Sequence, residues 1–274
     1  MIRDSRRWIT FAALAVLLAA GAFPLYWMIV ASVTPEAALF GALTLWPRDV
    51  TLEHYRALFG ERDFWVPIRN SLIVAGSTTI LCVTVGALAA YALARLRFQW
   101  KRTILAFILA VTTFPQIAIV SPLYMLLRSL GLIDTYPGLV LPYVTFAMPL
   151  AIWLLVGFFR QMPDDLEDAA RVDGATRWQG FVRIIIPLSA PALAATAILV
   201  FLYCWNEFLF ALSFTLGPDR QTVPVAIALF RGQYQVPWGE ILAAAVVATI
   251  PVALIVLAFQ RRIVQGLTAG AVKG

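Results

Sequence analysis

The polar residues of this 274-residue chain that are placed to do chemistry fall into two groups. One is a charged island, Glu167-Asp-Ala-Ala-Arg-Val-Asp-Gly-Ala-Thr176, with apolar sequence before and after it. Its carboxylates suit ion pairing with another surface. The other is the pair Asn206-Glu207, in the apolar setting Cys204-Trp-Asn-Glu-Phe208. A carboxylate at the centre of a bilayer costs about 2.5–3.5 kcal/mol on insertion scales. Glu207 therefore either faces a pathway or gate lined by protein and water, or snorkels to the outer headgroups.

Several other chemistries are excluded. A phosphate-wrapping P-loop needs Gly immediately before its Lys. The two lysines are Lys101, after Trp100, and Lys273, after Val272, so this chain builds no such ATP site. The single histidine, His54, falls in a long loop, where a lone His is expected to be solvated. It cannot supply a His-rich metal site or bis-His haem ligation. Cys82 and Cys204 lie in apolar runs and read as small buried residues, not as a disulfide. No Gly-x-Ser-x-Gly elbow or Ser/His/Asp set is visible. The expectation is a conduit, with no catalytic residue, no metal and no cofactor of its own.

The elements that position these groups follow from composition. The chain is 61% hydrophobic and 13% charged, against about 25% charged in soluble domains. A hydrocarbon core of about 30 Å takes about 20 apolar residues per helix. Runs of that kind occur at about 8–34, 70–95, 103–127, 135–159, 184–213 and 241–260. They predict an all-α, polytopic membrane protein with six spans in a single domain, 1–274, a loop at 160–183 and a tail at 261–274. The first run exceeds a signal peptide's apolar region and carries Phe23, Pro24, Tyr26 and Trp27, so it reads as retained. Of the 21 Lys and Arg, 14 fall on the amino-terminal side of the membrane and 7 on the other. The bias places both termini and the charged island in the cytoplasm. It also accounts for the net charge of +6 without a nucleic-acid partner.

Within the spans, Gly86, Ala90 and Ala94 allow close helix approach, inside this bundle or against another subunit. Prolines recur at 24, 115, 122, 142, 149, 187, 191 and 251 and predict kinks. Gln116 and Ser121 stand beside Pro115 and Pro122, which suits a helix lining a pathway or, equally, ordinary kinked packing. Tyr91, Tyr124, Tyr143 and Trp205 are either sugar-stacking aromatics or packing. The segment 219–240 holds an apolar run too short to cross, which reads as re-entrant or interfacial.

The island itself predicts two short helices. Asp164 and Glu167 have capping-box spacing ahead of a helix over 165–172, and Asp173-Gly174 supplies its stop. Thr176 and Gln179 repeat the box and open a second helix towards Pro187. A helix of about eight residues is marginal in water. It docks either on its own membrane domain or in a partner's groove.

Asp168-Ala-Ala-x-x-Asp-Gly-Ala175, followed by Phe181 and Ile184-Ile-Ile-Pro187, resembles the EAA loop of permease subunits of ATP-binding-cassette importers. The tail 266–274 resembles that of the carbohydrate-class permeases, and Trp205-Asn-Glu-Phe208 and the span count fit the same family. One departure is that the family has Glu directly before Ala-Ala, where this chain has Asp168 preceded by Glu167. Either carboxylate can make the principal contact.

The resemblance implies a sugar importer of a bacterial or archaeal cytoplasmic membrane. Its other parts would be a second homologous permease, two ATPase subunits holding ATP and Mg, and an extracytoplasmic sugar-binding protein. Glu167, Asp168, Ala169, Ala170, Asp173, Gly174 and Ala175 would then couple to the ATPase. Gly266, Leu267, Thr268, Gly270 and Lys273 of the tail would reach between the ATPase subunits. Gln116, Ser121, Tyr124, Tyr143, Asn206 and Glu207 are the pathway candidates, and Arg220, Gln221, Arg231 and Gln233 the binding-protein contacts. The sugar would be a disaccharide such as maltose or trehalose. The alternatives are a glycerol-3-phosphate importer permease and an ion-coupled secondary transporter.

Overall fold

The computed structural model describes residues 2–41, 45–47, 49–230 and 236–269, without the side chains of 2–9 and 261–269. Its helices, in chain order, are α1 (Ile2–Ser32), α2 (Glu36–Leu39), α3 (Glu53–Gly60), α4 (Trp65–Arg95), α5 (Lys101–Thr112), α6 (Gln116–Ser129) and α7 (Tyr136–Gln161). Then come α8 (Asp165–Val172), α9 (Arg177–Gly180), a π-helical turn (Phe181–Ile185), α10 (Ile186–Leu188), α11 (Ala190–Trp205), α12 (Leu209–Phe214), α13 (Val223–Ala228) and α14 (Trp238–Ala269). No strand occurs among the described residues.

Among the described residues four helices are long and apolar enough to cross a membrane unbroken: Thr10–Ser32, Trp65–Arg95, Tyr136–Gln161 and Trp238–Gln260. The other two expected spans are bent pairs rather than single rods. Lys101–Thr112 meets Gln116–Ser129 at 92°, and Arg177–Leu188 meets Ala190–Trp205 at 74°. The breaks have local causes. Pro115 takes the extended N-cap position of α6 and cannot continue the helix before it. Pro187 lacks an N–H just after the π-turn, and α11 restarts past Ser189 with Pro191 in its first turn. Asn206 ends α11 and α12 begins at Leu209, so 184–213 is not one continuous helix. Pro24, Pro122, Pro142, Pro149 and Pro251 remain inside helices.

The chain divides into two compact units, residues 1–65 with 226–251, and 66–225 with 252–274. In the first, the segment after α1 is fastened to the start of α14. Glu36 accepts from the N–H groups of Trp238 (3.0 Å) and Gly239 (2.9 Å), satisfying two donors at that helix end. Arg62 pairs with Glu240 and lies 4.4 Å from the Phe230 ring centroid. His54 is not solvated: it sits on α3, 8% exposed, with Nε2 2.9 Å from the Thr34 carbonyl. Its ring occupies the space where a Cβ on residue 239 would stand, so Gly239 makes room for it.

In the second unit α7 is the central post, with α5, α11 and α12 packed on it. A Cβ on Gly86 would stand 3.3 Å from Cβ of Ala151, so this small residue serves close approach of α4 to α7 inside the chain. Cys82 and Cys204 are free and buried.

The charged loop and the polar cavity

The island folds as its local signals predict at most positions. α8 runs Asp165–Val172, Gly174 takes φ +80°, and Thr176 and Gln179 form a reciprocal capping box. The first box does not form. Asp164 makes no side-chain cap, because it and Glu167 turn to Arg95 in the last turn of α4. A tertiary ion pair outcompetes a local cap there.

Arg95, with a side chain only 7% exposed, pairs with Asp164 and places Nε 3.3 Å from Glu167 Oε1. Its Nη2 donates to the Met162 carbonyl at 2.6 Å. Tyr91, one turn earlier on α4, donates its hydroxyl to Glu167 Oε2 at 3.1 Å. Glu167 is therefore held inside the chain, whereas Asp168 is 61% exposed and, among the described residues, pairs with its helix neighbour Arg171 at 2.7 Å. Ala170 is buried while Ala169, Asp173 and Gly174 are exposed, Ala175 is half-buried, and Val172 and Trp178 stand out at 87% and 62%. The loop has one face docked on its own domain and one face open. The docked side realises the first of the two docking alternatives.

Behind it, Tyr91, Phe159, Phe181 and Ile185 share one apolar core with Ala87, Ala90, Leu155 and Val156. The Tyr91 and Phe181 rings lie 4.7 Å apart.

A cavity of about 680 Å³ is lined by Gln116, Tyr203, Asn206, Glu207 and apolar residues including Leu150 and Leu199. Gln116 donates to the Tyr203 hydroxyl at 2.7 Å. Glu207 is 8% exposed. Its two oxygens accept from the N–H groups of Phe210 (2.8 Å) and Ala211 (3.1 Å), so it caps α12 while lining the cavity. Asn206 donates to the Leu202 carbonyl. Ser121 is exposed on α6 and Tyr124 packs near Phe214; neither lines the cavity. Tyr143 is 1% exposed, in the core beside Glu207. Tyr91 and Trp205 are likewise buried in packing.

Arg220 stacks over Tyr136 (4.5 Å), and the Gln221 and Asp219 carbonyls each accept from Asn70 Nδ2 at 2.9 Å. The Tyr136 hydroxyl donates to Asn70 Oδ1 at 2.8 Å. Asn70→Leu keeps the volume and strands these partners. It is expected to cost about 2–4 kcal/mol, read as a lower melting temperature of the detergent-solubilised protein. An unchanged melting temperature would show that the Asn70 hub carries no stability.

Arg231, Gln233, Gly270 and Lys273 lie outside the described residues. Gly266, Leu267 and Thr268 continue α14, which extends the last helix well past the expected end at 260. A helix already nucleated propagates easily into such a tail.

Three residues of these sites are not singled out by sequence reasoning. Arg95 reads only as a positive-inside charge, and Tyr91 only as a possible stacking ring. Tyr203 is the third: it stands three and four residues before Asn206 and Glu207 and lines the same cavity, although α11 ends at Asn206.

Residues 82–269 match the family model described as binding-protein-dependent transport system inner membrane component. The chain is 48% identical over 253 residues to the trehalose transport system permease protein SugB of Mycobacterium tuberculosis, covering 92% of each chain. It is 44% identical over 255 residues to the trehalose/maltose transport system permease protein MalG of Thermococcus litoralis, covering 92% of this chain and 91% of that one. Its fold is similar to a chain in the crystal structure of a bacterial ABC transporter involved in import of the acidic polysaccharide alginate. That likeness has TM-score 0.79 at 22% identity, over 94% of this chain and 97% of the other.

Proposed function

Since the chain belongs to the family of binding-protein-dependent transport system inner membrane components, we propose that it is the permease subunit of a sugar importer powered by ATP hydrolysis on separate subunits. A second homologous permease completes the translocation path, and two ATPase subunits and an extracytoplasmic sugar-binding protein complete the machine. The sugar is a disaccharide such as trehalose or maltose. What carries this reading is the end-to-end likeness to permeases named for those sugars.

The cavity supports a neutral cargo. Its polar lining is two amides, one phenol and a carboxylate already engaged by two backbone donors, with no Lys or Arg. A phosphorylated substrate such as glycerol 3-phosphate calls for cationic donors in the path. The ring of Tyr203 and the hydrogen-bonding Gln116 and Asn206 fit hydroxyl-rich, weakly apolar sugar faces.

The open face of α8 is the surface offered to the ATPase. Asp168 supplies the charge, Ala169 allows close approach, and Asp173, Gly174 and Ala175 set the turn. The tail from Gly266 reaches between the ATPase subunits, and the loop at Arg220 and Gln221 faces the binding protein. Both termini lie in the cytoplasm, as the Lys and Arg bias requires.

The test is uptake of radiolabelled trehalose and maltose by the assembled complex in proteoliposomes. Uptake is expected to need ATP on the ATPase side and to survive collapse of ion gradients. Uptake by the lone chain, driven by an ion gradient, would sink the reading. Asp168→Arg should lower uptake at least about tenfold by setting like charge against a basic partner surface, with the chain still in the membrane. Normal uptake by that variant would contradict the placement of Asp168 at the ATPase.

A further inference from the structure

α8 sorts its carboxylates by helical face. Asp164, just before the helix, and Glu167, three residues on, both face Arg95, Glu167 from a part-buried position and Asp164 from an exposed one. Asp165, Asp168 and Val172, at the i, i+3, i+7 positions of the other face, are all exposed. The first pair meets a side chain that is nearly buried, and the other face is open to solvent. From this we infer that Arg95, with Tyr91, is a positioning residue of the coupling step: it seats α8 on the end of α4, so that a load applied to the outer face reaches the membrane helices. The inference rests on the importer reading.

The geometry on both sides of the Gly174 turn supports it. Before the turn, the Arg95 fork serves two carboxylates and the Met162 carbonyl, a set that a single ammonium cannot match. Glu167, the better buried of the two acids, also takes the Tyr91 hydroxyl. After the turn, Phe181 lies against the ring of the same Tyr91. The two arms of the loop are thus fastened one helical turn apart on α4, at Tyr91 and Arg95. Tyr91 and Phe181 belong to the core that α4 shares with α7. A loop tied at only one arm would hinge about Gly174; tied at both, it moves with α4.

Asp164 is 85% exposed, so its ion pair adds little on its own. The Glu167 contacts are the ones whose loss leaves a carboxylate without partners in a part-buried site.

The assembled complex in proteoliposomes tests the inference through sugar moved per ATP hydrolysed, with trehalose as the probe. Arg95→Gln should leave the ATPase subunits bound and hydrolysing while that ratio falls about tenfold. Arg95→Lys should restore part of it. Tyr91→Phe removes only the hydroxyl and should lower the ratio about threefold. An unchanged ratio in both Arg95→Gln and Tyr91→Phe overturns the inference. So does equal loss of assembly and hydrolysis in the Gln and Lys variants, which would make Arg95 a stability residue alone. Should Arg95→Gln fail to assemble while Lys assembles, Tyr91→Phe decides: a lowered ratio supports the inference and an unchanged one overturns it. Failure of the unaltered chain to retain ATPase subunits would sink the importer reading instead, and is seen before any variant is made.

Discussion

Gly174→Pro is expected to reduce ATP-driven uptake by about a hundredfold or more while leaving the chain in the membrane. Gly174 holds φ +80°, a left-handed value that ends α8. Proline fixes φ near −65° and has no N–H, so the Gly174 N–H bond to the Arg171 carbonyl (3.1 Å) disappears with the turn. The adjacent bond from the Ala175 N–H to the Ala170 carbonyl (2.9 Å) spans the same turn and is displaced with it. An eight-residue helix has no reserve of its own, so a penalty of about 3 kcal/mol falls on the docked conformation directly. If only that conformation engages the ATPase, its fractional population multiplies straight into coupling. Gly174 precedes the bent pair that starts at Arg177 and lies inside no span, so membrane insertion should continue. Gly174→Ala, which meets open space and only the left-handed strain of about 1–2 kcal/mol, should lose much less. Uptake by the complex, beside the amount of protein in the membrane fraction, measures both variants. Normal uptake with proline would mean that the turn is not part of the coupling surface.

This region was legible in the sequence because its signals are local. A glycine after an acidic helix, and a Thr and Gln three apart, set the ends of α8 and α9 within a few residues of where they act. What escaped was each partner far away along the chain. The Asp164–Glu167 spacing promises a cap, and nothing in 160–183 announces that Arg95 will claim both carboxylates. His54 has the same history: a lone histidine in a polar loop carries no mark of the glycine at 239 that leaves space for its ring. The prolines divide along the same line. Every one was visible, yet Pro142 and Pro149 ride inside α7 while Pro115 starts a new helix at 92° to the last. Whether a freed carbonyl is met by a neighbouring helix or turned out decides the outcome, and that is a tertiary matter. Tyr203 also carries a local signal, standing three and four residues before Asn206 and Glu207, with which it lines the cavity.

Substituting Glu207 separates its two roles, cap and charge. Both carboxylate oxygens are taken by backbone N–H groups at the start of α12. Glu207→Leu removes both acceptors and leaves two buried donors unmet, each costing about 1–3 kcal/mol. The six-residue α12, its Phe210 and Phe214 packed into the core, cannot re-form without a cap, and the wall of the cavity shifts with it. Uptake should fall at least about tenfold, with less protein in the membrane. Glu207→Gln keeps one oxygen for these donors and the same length, and it removes the charge. For a neutral sugar driven by ATP, the charge has no part in transport, so Gln, which leaves one donor unmet instead of two, should retain clearly more uptake than Leu. An ion- or proton-coupled carrier makes the opposite prediction, because an amide cannot exchange a proton or balance a cation, and Gln would then be as inactive as Leu. Parallel measurement of uptake, ATP hydrolysis and membrane abundance for the two variants distinguishes them. A Gln variant that is abundant, assembled and hydrolysing ATP yet inactive in uptake would place the charge of Glu207 in the transport step and refute its role as a cap alone.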